Sequence, residues 1–117
     1  MPEAAICIIH HDREKAAQLA QQLESCTHTE VQIAALQLTP SEYADIAADS
    51  ATHALIIEQE LDPRSTLGYT GIDVAEYMRR IRPGLPIYLL VSQKQDLAGR
   101  EAIVEEIIAE DELLQRC

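Results

Sequence analysis

Residues 71–92 read GIDVAEYMRRIRPGLPIYLLVS. In the first half, Ile72, Ala75, Met78 and Ile81 recur at helical spacing, with charged residues between them. Pro83-Gly84 stops that pattern, so the spacing predicts a helix over 71–82. Residues 86–92, PIYLLVS, are a short continuous apolar run, as expected of a strand buried on both faces. A helix, a tight turn and a buried strand in that order form one unit of a parallel sheet covered by helices.

The same unit recurs on the N-terminal side. Residues 4–9, AAICII, predict a buried strand that stops at His10-His11-Asp12. Residues 13–26 carry Ala16, Leu19, Ala20, Leu23 and Cys26 at helical spacing, with Asp12 placed to cap that helix. Residues 31–38, VQIAALQL, predict a second strand. Thr39-Pro40-Ser41-Glu42 is a helix start with the residues of a capping box and Pro at the first position. That helix is expected to reach about Asp49 and to bury Tyr43, Ile46 and Ala47. Residues 54–57 predict a third buried strand, ending at Glu58-Gln59-Glu60, and 61–71, LDPRSTLGYTG, a loop.

On the C-terminal side, 93–103 is polar and predicts one short helix. Residues 105–109, with Ile107-Ile108, predict a short fifth strand. The pattern is an α/β chain: a doubly wound parallel sheet of about five strands, in a single domain spanning 1–117. Only seven residues follow Glu110, so the final helix is expected to be short or missing.

Composition narrows the function classes. The chain has 117 residues and a net charge of −11, which argues against nucleic acid and against anionic membrane surfaces. Arg79, Arg80 and Arg82 are expected to form a solvated helix face. Cys7, Cys26 and Cys117 contain no CxxC pair, so neither a zinc site nor a disulfide framework is expected. Cys7 lies in an apolar run and is expected to be buried. His28 and His53 are expected to be ordinary surface or packing residues. No secretory leader or membrane-length run is present, so a cytoplasmic protein is expected.

In an open parallel sheet, functional residues sit beyond the carboxyl ends of the strands. Strand ends therefore nominate His10, His11 and Asp12, then Glu58, Gln59 and Glu60, then Val91 and Ser92, and finally Glu110. No nucleophile elbow and no phosphate-cradling glycine loop is present. His10, His11, Asp12, Glu58 and Glu60 are also the residue types of a transition-metal site, if they gather at one edge.

Residues 6–24, ICIIHHDREKAAQLAQQLE, resemble the first strand and helix of a response-regulator receiver domain. Residues 54–61, ALIIEQEL, resemble its third strand, and 68–92 its glycine turn, third helix and fourth strand. Residues 105–113, EEIIAEDEL, resemble its fifth strand. The resemblance implies a flavodoxin-like fold and a two-component signalling context. It also implies that the active set is degenerate. The magnesium-holding acids fall on His10 and His11, with Asp12 still acidic, and the phosphoacceptor falls on Glu58. The hydroxyl residue falls on Val91, or on Ser92 if the register slips by one, which would turn the side chain to the other face. The invariant Lys falls on Glu110.

Phosphoryl transfer needs a hard cation and basic groups around the equatorial oxygens. At ~4 Å and an effective dielectric of ~20 a unit pair is worth roughly 4 kcal/mol, and Glu110 reverses its sign. A Glu at position 58 extends a carboxylate as a phosphorylated Asp would, but the Lys and hydroxyl to receive it are changed.

The expected function is a non-phosphorylatable pseudo-receiver: a protein-interaction or regulatory module, no enzyme, with no cofactor. It is expected to meet a protein partner, or itself as a homodimer, through the sheet face left open by the short C-terminus. Two alternatives accompany it. The segments 8–13, 84–90 and 107–116 are similar to the receiver-like N-terminal wing of pyridoxal-phosphate-dependent ornithine, lysine and arginine decarboxylases, an assembly domain. The other is a metal-binding protein using the His/Glu cluster.

Overall fold

A computed structural model describes residues 5–49, 51–61, 68–92 and 99–116. Five strands, β1 (Ala5–Ile9), β2 (Glu30–Ala34), β3 (Thr52–Glu58), β4 (Ile87–Val91) and β5 (Glu106–Ala109), form one sheet. Its order is β2-β1-β3-β4-β5, with every pairing parallel. This is the flavodoxin-like order, in which the chain reverses its direction of travel between β1 and β3. The helices are α1 (Arg13–Thr27), α2 (Ala44–Ala48), α3 (Gly71–Ile81) and α4 (Glu110–Arg116).

Strand alternation divides the core in two. Ile8, Ile56, Leu90 and Ile108 face Ala16, Leu19, Ala20 and Leu23 of α1, with Leu113 of α4 packed at the side. Cys7, Ile9, Leu55, Ile57, Ile87 and Leu89 face Tyr43 and Ala47, and Ile72, Ala75 and Met78 of α3. Burial pushes the Cys7 thiol up to about 11, so it behaves as a small hydrophobe.

Asp12 caps α1: its Oδ1 accepts the amide hydrogens of Glu14 at 3.0 Å and Lys15 at 3.2 Å. The helix closes at His28, an exposed residue in the left-handed region at φ 56°. His53 is exposed.

Several features differ from the sequence expectation. Cys26, near the end of α1, is disulfide-bonded, where no disulfide framework was expected. β2 ends at Ala34 and not near 38. The Gln37 amide donates to the Tyr43 hydroxyl at 2.8 Å, and the Tyr69 hydroxyl donates to the Gln37 carbonyl. With its backbone groups taken by side chains, the segment leaves the ladder. The helix expected over 39–49 begins as a 3₁₀ turn, Pro40–Tyr43, before α2. The Glu42 carboxylate there accepts the amide hydrogens of Leu38 and Thr39.

The arginines are not a solvated face. Arg79 donates to the carbonyls of Ile103, Pro83 and Leu85 and pairs with Glu105 at 3.0 Å. Arg82 donates to the carbonyls of Asp49 and Thr52. Only Arg80 matches the expectation, with an exposed pair to Glu76. Of the short helix expected within 93–103, Arg100–Ile103 forms a 3₁₀ turn, while 93–98 lies outside the described residues, as does 62–67 of the expected loop. The final helix is short, as expected. Among the described residues no helix is long and apolar enough to cross a membrane.

Candidate functional site

The switch point between β1 and β3 brings together residues at the strand tips. His10 follows β1, Glu58 ends β3 and Glu110 opens α4 directly after β5. All three continue the strand alternation of the α1 side of the sheet, after Ile8, Ile56 and Ile108. The His10 side chain is fully buried. Its Nε2 lies 3.0 Å from Glu58 Oε2 and 2.9 Å from Glu110 Oε1. His11 adds a second contact to Glu58: its backbone amide donates to Oε1 at 3.2 Å and its Nδ1 pairs with the same oxygen. The two imidazoles stack with centroids 5.3 Å apart.

The His10 tautomer follows from one bond. The Asp12 amide donates to His10 Nδ1 at 3.0 Å. Nδ1 of the neutral ring is therefore bare, and its proton sits on Nε2, facing both carboxylates. Burial lowers the His10 pKa, but the bonds and charge of Glu58 and Glu110 outweigh it, and the group is held above its ordinary value. For Glu58, burial raises the pKa, while the hydrogen bonds from His10 and His11 win and hold the carboxylate below its usual range.

The backbone of Glu58 is fixed by a glycine. A Cβ on Gly71 would lie 2.2 Å from the Glu58 carbonyl oxygen, so only glycine lets α3 start this close to the tip of β3. Buried Gln59 completes the join. Its carbonyl accepts the Gly71 amide hydrogen at 2.9 Å, and its side-chain Oε1 accepts that of Ile72 at 2.8 Å.

A crevice of about 170 Å³ opens over the cluster, lined by His11, Lys15, Glu58, Glu60, Ser92 and Glu110, with Leu90 at its base. Val91 points away from it and is buried against the α3 side of the core. The expectation that Ser92 would face away is corrected: Ser92 follows Leu90 in the alternation that carries Glu58 and Glu110, and it lines the crevice. Asp12 is spent on the α1 cap. Lys15 was not singled out from sequence. Its signal was its place one turn after the Asp12 cap, on the helix end nearest the strand tips.

The donors His10, His11 and Glu58 fall within 4.8 Å of one another, a spacing open to a metal ion. The tautomer speaks against that use, because His10 turns an N–H and not a lone pair toward the carboxylates. Magnesium, the ion of active receivers, fits no better, since it takes carboxylate and water oxygens and β1 supplies imidazoles. A phosphoryl group on residue 58 would meet Glu60 and Glu110 across the crevice, with Lys15 the one Lys or Arg lining it among the described residues.

No family model and no curated protein matches the chain. Solved structures do. The response regulator TrrA of Thermotoga maritima, in complex with magnesium and beryllofluoride, superposes with a TM-score of 0.73 at 16% identity, over 91% of this chain and 85% of that one. A CheY-like receiver domain protein from Methanospirillum hungatei gives 0.70 at 18%, over 97% and 90%. The beryllofluoride-activated receiver domain of DrrB, also from Thermotoga maritima, gives 0.67 at 20%, over 97% and 93%. These likenesses show the receiver fold. The similarity to a decarboxylase wing gains no support from them.

Proposed function

From a receiver fold with this cluster at its strand tips, we propose that the chain is a pseudo-receiver: a signalling domain that takes no phosphoryl group and acts by binding a protein partner. One observation carries the reading. The Glu58 carboxylate, at the position the resemblance assigns to the phosphoacceptor, is held by both His10 and His11, while Glu110, at the position it assigns to the lysine, lies 2.9 Å from His10. The hydrogen bonds that hold Glu58 are internal to the fold, so the site supports a fixed conformation in place of a switched one. The role is non-enzymatic and cytoplasmic. The partner meets the α1 side of the sheet, where α4 leaves apolar side chains partly uncovered.

The test is phosphorylation itself. Acetyl phosphate with magnesium, and separately beryllofluoride with magnesium, are added to the isolated protein. Intact mass and amide spectra are expected to stay unchanged. A stable adduct on Glu58, or beryllofluoride-dependent shifts at the strand tips, overturns the reading.

A further inference from the structure

Asp12 fastens the start of α1 in both directions. Forwards, its Oδ1 accepts the amide hydrogens of Glu14 and Lys15, and its carbonyl accepts that of Ala16 at 2.9 Å. Backwards, its own amide hydrogen goes to His10 Nδ1 at 3.0 Å. That bond exists only while Nδ1 carries a lone pair. His10 Nε2 already holds a hydrogen, turned toward Glu58 and Glu110. A further proton on the ring can therefore go only to Nδ1. An Nδ1–H would face the Asp12 N–H across the same 3.0 Å, two donors with no acceptor between them, and the bond must break.

The groups around the ring pull in opposite directions. Glu58 reaches it from the end of β3 and Glu110 from the start of α4, while His11 stacks on it and pairs with Glu58. Lys15 and Glu60 line the crevice beyond. From α1, Asp12 presents its N–H to the ring, its Oδ1 being turned to the helix amides. Burial favours the neutral ring, and so does the Asp12 amide; the two glutamates favour the charged ring and outweigh burial.

We propose that His10 is a proton-operated release for the N-terminus of α1: the neutral ring holds the Asp12 amide, and the charged ring lets it go. This regulation rests on the pseudo-receiver reading: the site that takes no phosphoryl group takes a proton instead. The change is confined to the entry of α1, and the sheet stays fixed. Because Asp12 caps the Lys15 amide, a proton taken up at the buried ring is felt at the lysine lining the crevice. By linkage, a protein partner that fixes the first turn of α1 lowers the proton affinity of His10 by the same factor by which the proton weakens that partner.

The experiment is one pH titration of the folded, isotope-labelled wild-type protein by NMR. Imidazole nitrogen signals read whether Nδ1 is bare, and the Asp12 amide signal and its hydrogen exchange read the bond. Nδ1 is expected to be bare at high pH. As pH falls, the Nδ1 and Asp12 signals are expected to move with one midpoint, and the Asp12 amide to exchange on the order of tenfold faster relative to its intrinsic rate. Asp12→Asn keeps the amide and a good helix cap but removes the carboxyl, so the transition is expected to persist in it. Glu110→Gln withdraws one carboxylate charge and is expected to move both midpoints to lower pH together. Should that variant not fold, the wild type and Asp12→Asn decide. The proposal is overturned by an Nδ1 that carries a hydrogen throughout, or by a His10 that does not titrate in the folded protein. An Asp12 amide that stays put while His10 titrates, or a transition lost in Asp12→Asn, overturns it too. Each of these results leaves the phosphorylation test as it stands, and a Glu58 adduct would overturn the pseudo-receiver reading without altering what the titration reports on Nδ1.

Discussion

His10 Nε2 lies 2.9 Å from Glu110 Oε1, joining residues 100 positions apart in sequence. The same nitrogen is 3.0 Å from Glu58 Oε2. One imidazole thus stands between two carboxylates at the strand tips.

Glu58→Gln keeps the side chain's shape and removes its charge. The His10 pKa is held up by Glu58 and Glu110 against burial, so it is expected to fall in this variant. Titration of the His10 ring signals by NMR measures it. An unchanged midpoint would show that Glu58 is not the cause.

Stability should depend on pH through the same pair. The His10 pKa is raised on folding, so its contribution is complete below the ordinary value of 6.5 and is lost as pH rises through the folded value. The Glu58 pKa is lowered on folding, so its contribution is complete above 4.5 and is lost as pH falls through the folded value. The joint contribution is therefore largest between 4.5 and 6.5 and declines on both sides. Urea midpoints across pH, for the wild type and His10→Phe, should differ in shape in that way; parallel curves would contradict it.

Gly71→Ala places a Cβ against the Glu58 backbone, which cannot step aside as a side chain would. A loss of about 3 kcal/mol or more is expected, at the upper end of overpacking effects, with the His10 ring signals displaced as the tip of β3 moves. Chemical denaturation and NMR give the two readouts. An alanine tolerated within about 0.5 kcal/mol would contradict the close approach.

Arg79→Met should cost about 2–3 kcal/mol, because it strips donors from the carbonyls of Ile103, Pro83 and Leu85 at once. Arg80→Met, which removes only an exposed pair with Glu76, is expected to change stability by less than about 0.5 kcal/mol. Equal effects in a denaturation series would refute the distinction.

That contrast also marks what the sequence can and cannot convey. The strands β1, β3 and β4 were legible because short apolar runs bounded by polar or turn residues are too short for a helix and fit a buried strand, and α3 because its apolar face keeps one period. The helix starts at Asp12 and Thr39 were legible from local capping chemistry. Arg79 and Arg82 were not, since their partners are carbonyls in other segments and no spacing encodes them. The early end of β2 escaped for the same reason: it depends on Tyr43 and Tyr69 hydroxyls that fold back onto Gln37. At the site, strand ends nominated His10, His11, Glu58 and Glu110, but the choice between Val91 and Ser92 needed the register of β4, and Lys15 needed the direction of α1.

The sheet order has a kinetic consequence. β1 and β5 are the first and last strands of the chain, and β3 and β4 lie between them in the sheet. The His10–Glu110 contact therefore closes only after the intervening strands have paired, at the largest loop-closure entropy of any contact in the site. A label on His10 would report a late step of folding and not its beginning, and a nascent chain would hold His10 and Glu58 without their third partner until residue 110 had emerged.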